Sequence, residues 1–183
     1  LGPTGHWWHA YGVGALTGAI ERSGLATGIR YIPALDILDR ANGDLAIPTP
    51  RGPIIPDQLF ALDYGGTYRA FILEYDRGSE PIVSKAARES LDQKLRRYAA
   101  AVETDQHRRH YGLRSPLALL FTFTSRVRAE HFLALLKAKY HGLMPMVVFT
   151  VLKMDDPLLL QAKDYVTAPW ARASGGSFQI LAP

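Results

Sequence analysis

The stretch that decides the fold opens on Ile55-Pro56-Asp57-Gln58-Leu59-Phe60-Ala61-Leu62 and closes on Phe71-Ile72-Leu73-Glu74-Tyr75-Asp76-Arg77-Gly78. Two apolar runs flank Tyr64-Gly65-Gly66-Thr67, a Gly-rich turn that brings antiparallel neighbours together as a hairpin. Each run carries a carboxylate where a buried strand is normally apolar: Asp57 opens the first and Glu74 closes the second. Antiparallel pairing lays the start of one strand beside the end of the other, so Asp57 and Glu74 are expected to meet at one end of a sheet. Glu74 and Asp76 are two apart and share a strand face. A buried carboxylate left unpaired is costly, so it needs a cation, a proton or a hydrogen-bond partner. Two readings follow. One is a divalent-metal site of Asp57 and Glu74 around Mg²⁺ or Mn²⁺, joined by Asp76 or Glu21. The other is a strand-end salt bridge with Arg77 or Arg69.

Outward from the hairpin, the segment Ile47 to Pro56 carries Pro48, Pro50, Pro53 and Pro56 and reads as an extended, stiff connection that delivers the chain to Asp57. Before it, His6 to Arg22 reads as a helix with Trp8, Tyr11, Ala15, Leu16 and Ala19 at helical spacing and Gly24 as its stop. Ile29 to Ile32 is a short strand. Pro33 then starts a brief helix, Ala34 to Ala41, ended by Asn42-Gly43. Beyond the hairpin, Ser84 to Glu103 is a helix with the stripe Leu91, Leu95, Tyr98 and Val102. Lys94 lies roughly 70° from the middle of that stripe, at about 100° per residue, and flanks the buried face. Arg96 and Arg97 point further outward.

Leu117 to Phe123 is a continuous apolar run and reads as a central strand buried on both faces. Thr124-Ser125 is placed to cap a helix over Arg126 to Tyr140, and Met146 to Leu152 reads as a second buried strand. Strand–helix–strand order implies a parallel pair. Pro157 to Val166 is a short helix and Ser177 to Leu181 a final edge strand. The fold class is therefore α/β, a mixed central sheet flanked by helices.

The chain has 183 residues, enough for one domain with a real core, and 48% hydrophobic with 21% charged residues fits a globular protein. No apolar run is long enough for a membrane span. The chain opens on Leu1 and not on Met, which suggests a processed product or a fragment; Gly12 to Ile20 is weakly apolar, without the basic lead of a signal peptide. With no cysteine, disulfides, thiolate metal sites and a cysteine nucleophile are excluded, and a reducing, cytoplasmic setting fits. A net charge of +4 and a pI near 9.4 permit nucleic-acid binding without demanding it.

Lys94 has two readings: a group that orients an attacking water or stabilises developing phosphate charge, or a lysine snorkelling at a helix margin. Arg77, Arg88, Arg96 and Arg97, with Arg108 and Arg109 beyond, would track a phosphate backbone; alternatively they form a solvated face interspersed with Glu89, Asp92, Glu103 and Asp105. His6 and His9, three apart on the first helix, are either a metal pair or a helix-start histidine plus a packed one. No Gly-x-Gly-x-x-Gly, Walker loop or Gly-x-Ser-x-Gly elbow is present.

With these residues in hand, the sequence resembles the replication-relaxation family of plasmid and mobile-element proteins. The likeness is carried by Pro56-Asp57, by Phe71-Ile72-Leu73-Glu74-Tyr75-Asp76-Arg77-Gly78-Ser79-Glu80, by Glu89 to Tyr98, by Tyr111-Gly112-Leu113-Arg114 and by Leu119 to Ser125. The resemblance implies an N-terminal winged-helix DNA-binding part outside this chain, and a remaining part similar to the PD-(D/E)xK nuclease fold, here spanning residues 1–183 as one domain. It implies that Asp57 and Glu74 bind Mg²⁺, that Glu21 matches an acid some relatives place on the first helix, and that a lysine assists catalysis. The lysine expected two residues after Glu74 is replaced by Asp76; some relatives move it onto the following helix, where Lys94 stands. The expected function is a Mg²⁺-dependent DNA endonuclease or nickase in plasmid mobilisation or replication, with DNA and a relaxase or other transfer proteins as partners. The alternative is a catalytically silent DNA-binding relaxosome accessory on the same fold.

Overall fold

The structure, a computed structural model, describes residues 5–78, 90–153 and 161–183. In chain order the elements are α1 (Gly5–Ala26), β1 (Arg30–Pro33), α2 (Ala34–Ala41), β2 (Gln58–Asp63), β3 (Tyr68–Asp76), α3 (Leu91–Glu103), α4 (Gln106–His110), β4 (Leu117–Phe123), α5 (Arg126–Lys139), a 3₁₀ turn at His141–Leu143, β5 (Val147–Val151), α6 (Ala162–Thr167), β6 (Trp170–Arg172) and β7 (Ser177–Phe178). The seven strands lie side by side in sequence order. β3, β4 and β5 are parallel, and the pairs on either side of them are antiparallel. The chain is thus a mixed α/β protein with one sheet flanked by helices.

The alternation of the hairpin sorts the core into two layers. Leu59, Ala61, Ala70 and Ile72 face a cluster with Leu91, Leu95, Tyr98, Phe121, Phe123 and Phe132, beneath α3 and α5. Phe60, Leu62, Phe71 and Leu73 face the opposite cluster with Val13, Leu16, Ile20, Tyr165 and Val166, beneath α1 and α6. β4 is buried along its whole length, as its unbroken apolar run demands in a strand with neighbours on both sides and helices on both faces. By the same parity Glu74 shares the Ala70–Ile72 face, and its side chain points under α3.

Several boundaries differ from the sequence reading. α1 does not stop at Arg22 but runs through Gly24; the turn comes at Gly28, whose φ of +75° lies in the left-handed region. Residues 47–56 are not one extended connection. Ile47 and Ile54 pair in an antiparallel bridge, and Gly52 N–H donates to the Thr49 carbonyl at 3.1 Å, so the chain doubles back. The prolines stiffen the arms, while Gly52 at φ +91° lets the turn close. α3 begins at Leu91, not Ser84: Ser90 is extended and forms a capping box with Gln93. Residues 84–89 of the expected helix, and 157–160 of the next one expected, lie outside the described residues. Ser125 stands at the α5 cap position without a side-chain capping bond. β5 is fully buried only at Val147 and Val148. α4 and β6 were not expected.

α1 lies on β3 at close range. A Cβ built on Gly12 would sit 2.4 Å from the Tyr75 ring, whereas one on Gly14 meets nothing within 4 Å. Gly12→Ala is therefore expected to destabilise by roughly 1–3 kcal/mol through overpacking. Gly14→Ala, on the exposed side, is expected to stabilise by up to ~1 kcal/mol through helix propensity. Urea unfolding of the two variants checks the difference; equal effects would remove the close α1–β3 contact.

Candidate active site

Hairpin register places the acids. Gln58 pairs with Leu73, so Asp57, one residue earlier, lies beside the Glu74–Tyr75 end of β3. The Tyr75 N–H donates to Asp57 Oδ2 at 2.7 Å. The His9 ring nitrogen Nε2 lies 3.1 Å from the same oxygen, which brings α1 to the site. Burial alone would raise the Asp57 carboxyl, but the His9 hydrogen bond, the Lys94 charge and the Tyr75 amide outweigh it and hold Asp57 below its ordinary value. The bond to Asp57 in turn raises His9 above its usual value against the effect of burial.

Glu74 is 1% exposed. Its oxygens are divided between two groups of α3: Lys94 Nζ lies 2.8 Å from Oε2, and the Tyr98 hydroxyl donates to Oε1. Lys94 and Tyr98 are four apart, so one helix face presents both. The capping box at Ser90 fixes where that face begins. Burial pushes the Glu74 carboxyl up to about 7, opposed by the Lys94 ammonium. Tyr98 is raised well above its ordinary value, first by burial and then by the Glu74 charge.

A cavity of about 30 Å³ is lined by His9, Glu74, Asp76, Arg77 and Lys94, with Tyr75, Leu91 and Phe121. That is room for about one water molecule or small ion. A wider hollow of about 440 Å³ lies on the other side of His9, against Asp57, Pro56 and Gln58. Asp76 accepts from Arg128 Nε at 2.6 Å and from Gly78 N–H at 2.6 Å. Its Oδ2 is buried, and among the described residues it has no hydrogen-bond partner.

Of the residues singled out in the sequence, Asp57, Glu74 and Lys94 come together, with Asp76 and Arg77 on the cavity wall. Glu21 does not join them. It is exposed on α1, twelve residues past His9 and roughly 18 Å along the helix, and its charge acts on Tyr31. The expected salt bridges also change partners: Glu74 pairs with Lys94 and Asp76 with Arg128, not with Arg77 or Arg69. Arg96 turns to the far flank of α3, where it meets Asp92, which is buried and not solvated. Arg97 is half-buried, and Arg88 lies outside the described residues. Sequence reasoning missed His9 as the partner of Asp57; its signal was the spacing His9, Val13, Leu16, Ile20, one helix face continued into a histidine. Arg128 carried no such signal.

Among the described residues no group of three or more His, Asp or Glu side chains is arranged to hold a metal ion. Glu74 lines the one-ion cavity, whereas Asp57 lines the neighbouring hollow across His9; a hard cation of the Mg²⁺ type, which takes one or two protein carboxylates and fills the rest of its shell with water and phosphate, would suit such an open arrangement. These groups do not fit a closed zinc-type cage.

The family model described as replication-relaxation matches residues 3–117, through the first residue of β4; it takes in His9, Asp57, Glu74, Asp76, Lys94 and Tyr98, while Phe121 and Arg128 lie beyond it. The match covers well over half of the chain, and the chain belongs to the replication-relaxation family. No curated protein matches the chain, and no solved structure does.

A raised Glu74 binds its proton more tightly in the folded than in the unfolded chain. Its contribution therefore favours folding at low pH and is lost as pH rises from 4.5 towards about 7. The lowered Asp57 and the raised His9 act mainly at the two ends of this interval, near the ordinary values of their groups, and the parent chain and a Glu74 variant both carry them. Glu74→Gln is expected to remove roughly 2–3 kcal/mol of the parent chain's stability loss across this interval. Denaturant unfolding at several pH values checks it, and identical slopes for the two proteins would refute a proton-retaining Glu74.

Proposed function

We propose that the chain is the DNA-cleaving part of its family's machinery: a divalent-metal-dependent endonuclease or nickase acting in the replication or mobilisation of plasmids and other mobile elements. The observation that carries this is the convergence of Asp57, Glu74 and the helix-borne Lys94 at one end of the sheet, beside a one-ion cavity. We read the order helix, three antiparallel strands (with α2 set between the first two), helix, parallel strand as a restriction-endonuclease-like core.

In this reading Asp57 and Glu74 would hold Mg²⁺ or Mn²⁺, which when bound supplies a Lewis acid for the scissile phosphate and a more acidic water. The chain's own groups do the rest. His9 and the Tyr75 amide fix Asp57 as an anion facing the strand end. Tyr98 fixes Glu74 through Oε1. Lys94 carries the ammonium that stabilises charge developing on phosphate, supplying from α3 the cation absent from position 76. DNA is the substrate, and a relaxase or another transfer protein is the expected companion.

One observation favours a second reading, a DNA-binding accessory that does not cut. Both oxygens of Glu74 are already occupied by Lys94 and Tyr98, so the pair is satisfied as a structural ion bridge.

Relaxation of supercoiled plasmid DNA with Mg²⁺ or Mn²⁺ separates the two. Cleavage that falls at least about 100-fold in Asp57→Asn and in Lys94→Ala, with thermal unfolding still cooperative, is the expected outcome. Undiminished cleavage in both variants would sink the assignment, and salt-sensitive DNA binding without any metal-dependent nicking would establish the accessory reading.

A further inference from the structure

A second polar site lies on the opposite flank of α3. Arg96 is two residues from Lys94, about 200° around the helix, so it faces away from Glu74. There α3, the turn at Thr49–Gly52 and the corner where α5 meets the 3₁₀ turn enclose a groove of about 400 Å³. Arg51, Arg96, Lys139, Tyr140, His141 and Glu103 supply its polar lining.

Three of the lining side chains are held by the buried carboxylate of Asp92, which does not itself line the groove. Asp92 accepts from Arg96 Nη2 at 3.4 Å, from Lys139 Nζ at 3.2 Å and from the Tyr140 hydroxyl at 2.9 Å. One carboxylate needs one cation for charge balance; this one holds two. Arg96 and Lys139 nevertheless keep about half of their side-chain surface open, at 48% and 50%. A guanidinium has five donors and an ammonium three, and Asp92 takes one from each. Arg51, at the exposed turn, adds a third permanent cation that has no ion pair among the described residues. Against these stand Asp92, turned inward, and Glu103, so the open side of the groove is positive.

We propose that this groove is a phosphodiester-backbone subsite for DNA, with Asp92 as the positioning residue that holds Arg96 and Lys139 ready and Arg51 as the group reaching in from the opposite wall. This rests on the reading of the chain as a DNA-acting protein. It assigns the backbone contact to the far flank of α3, apart from the Glu74 cluster. Preorganised side chains lose less conformational freedom on binding than free surface lysines. Each phosphate they neutralise releases condensed counterions, and this gives the site a measurable salt signature.

The test is fluorescence anisotropy with a labelled duplex of about 20 base pairs and a single strand of the same length, in roughly 50–200 mM salt without divalent metal. The deciding variant is Arg51→Glu, which leaves the Asp92 clamp untouched. It is expected to weaken binding about five- to tenfold at ~0.1 M salt and to reduce the slope of log affinity against log salt by about one. Arg22→Glu, exposed on α1, is expected to leave that slope unchanged. Loss on the duplex, on the single strand or on both supports the groove and identifies which form of backbone it takes. Parent-like binding by Arg51→Glu, an equal loss in Arg22→Glu, or no binding by the parent chain at the lowest salt would overturn it. Absent cleavage with Arg51-dependent binding would then refute the nuclease reading and leave the groove standing, while cleavage without Arg51 dependence would do the reverse.

Discussion

The structure depends on how one desolvated carboxylate is neutralised. Glu74 sits at the end of an otherwise apolar strand, on the sheet face that α3 covers. Burying a lone carboxylate costs several kcal/mol, comparable to the gain from burying about two large apolar side chains at ~1.5–3 kcal/mol each. The chain therefore gains from that face only if a cation arrives with the helix. Lys94 and Tyr98 bring it, and this fixes the rotation of α3: Leu91, Leu95 and Ala101 turn inward with them. The same rotation sends Asp92 to the α5 side, where Tyr140 bonds both its carboxylate and its backbone carbonyl and ties the two helices together. One buried charge thus sets the docking of α3, and α3 in turn holds α5 through a second buried charge of its own.

Features set by local periodicity were legible in the sequence. The two apolar runs around Gly65-Gly66 give the hairpin, and antiparallel pairing across that turn puts Asp57 beside the end of β3. The unbroken apolar run of Leu117 to Phe123 gives the central strand. The 3.6-residue stripe of α3 gives Lys94 its place at the margin of the buried face. What was not legible depends on partners far apart in the chain. Asp76 and Arg128 are separated by 52 residues, and nothing in either neighbourhood announces the other. Prolines fix φ but not direction, so the doubling back at Ile47 and Ile54 could not be read from Pro48, Pro50 and Pro53. β6, of three residues, is too short to show a period.

The candidate site is electrostatically self-complementary. His9, Asp57, Lys94 and Glu74 alternate in sign, and Lys94 acts on both acids. The two acids are nonetheless driven apart. Asp57 keeps a half-exposed histidine and a backbone amide and stays ionised, while Glu74, without water, is held near the point where proton and Lys94 compete for it. Carboxylates pushed in opposite directions by their surroundings mark sites where acid and base roles divide. Here the division has a mechanical consequence. A cation entering the small cavity must replace Lys94 as the partner of Glu74, and a phosphate approaching it must draw Lys94 away from the same oxygen. Both moves ask one side chain to exchange partners. The flexible four-carbon stem of lysine permits that exchange, whereas the Tyr98 ring, fully buried on the other oxygen, does not move with it. On the proposed reading, cutting and merely binding DNA would therefore differ, at this site, in whether Lys94 gives up Glu74 while Tyr98 keeps it.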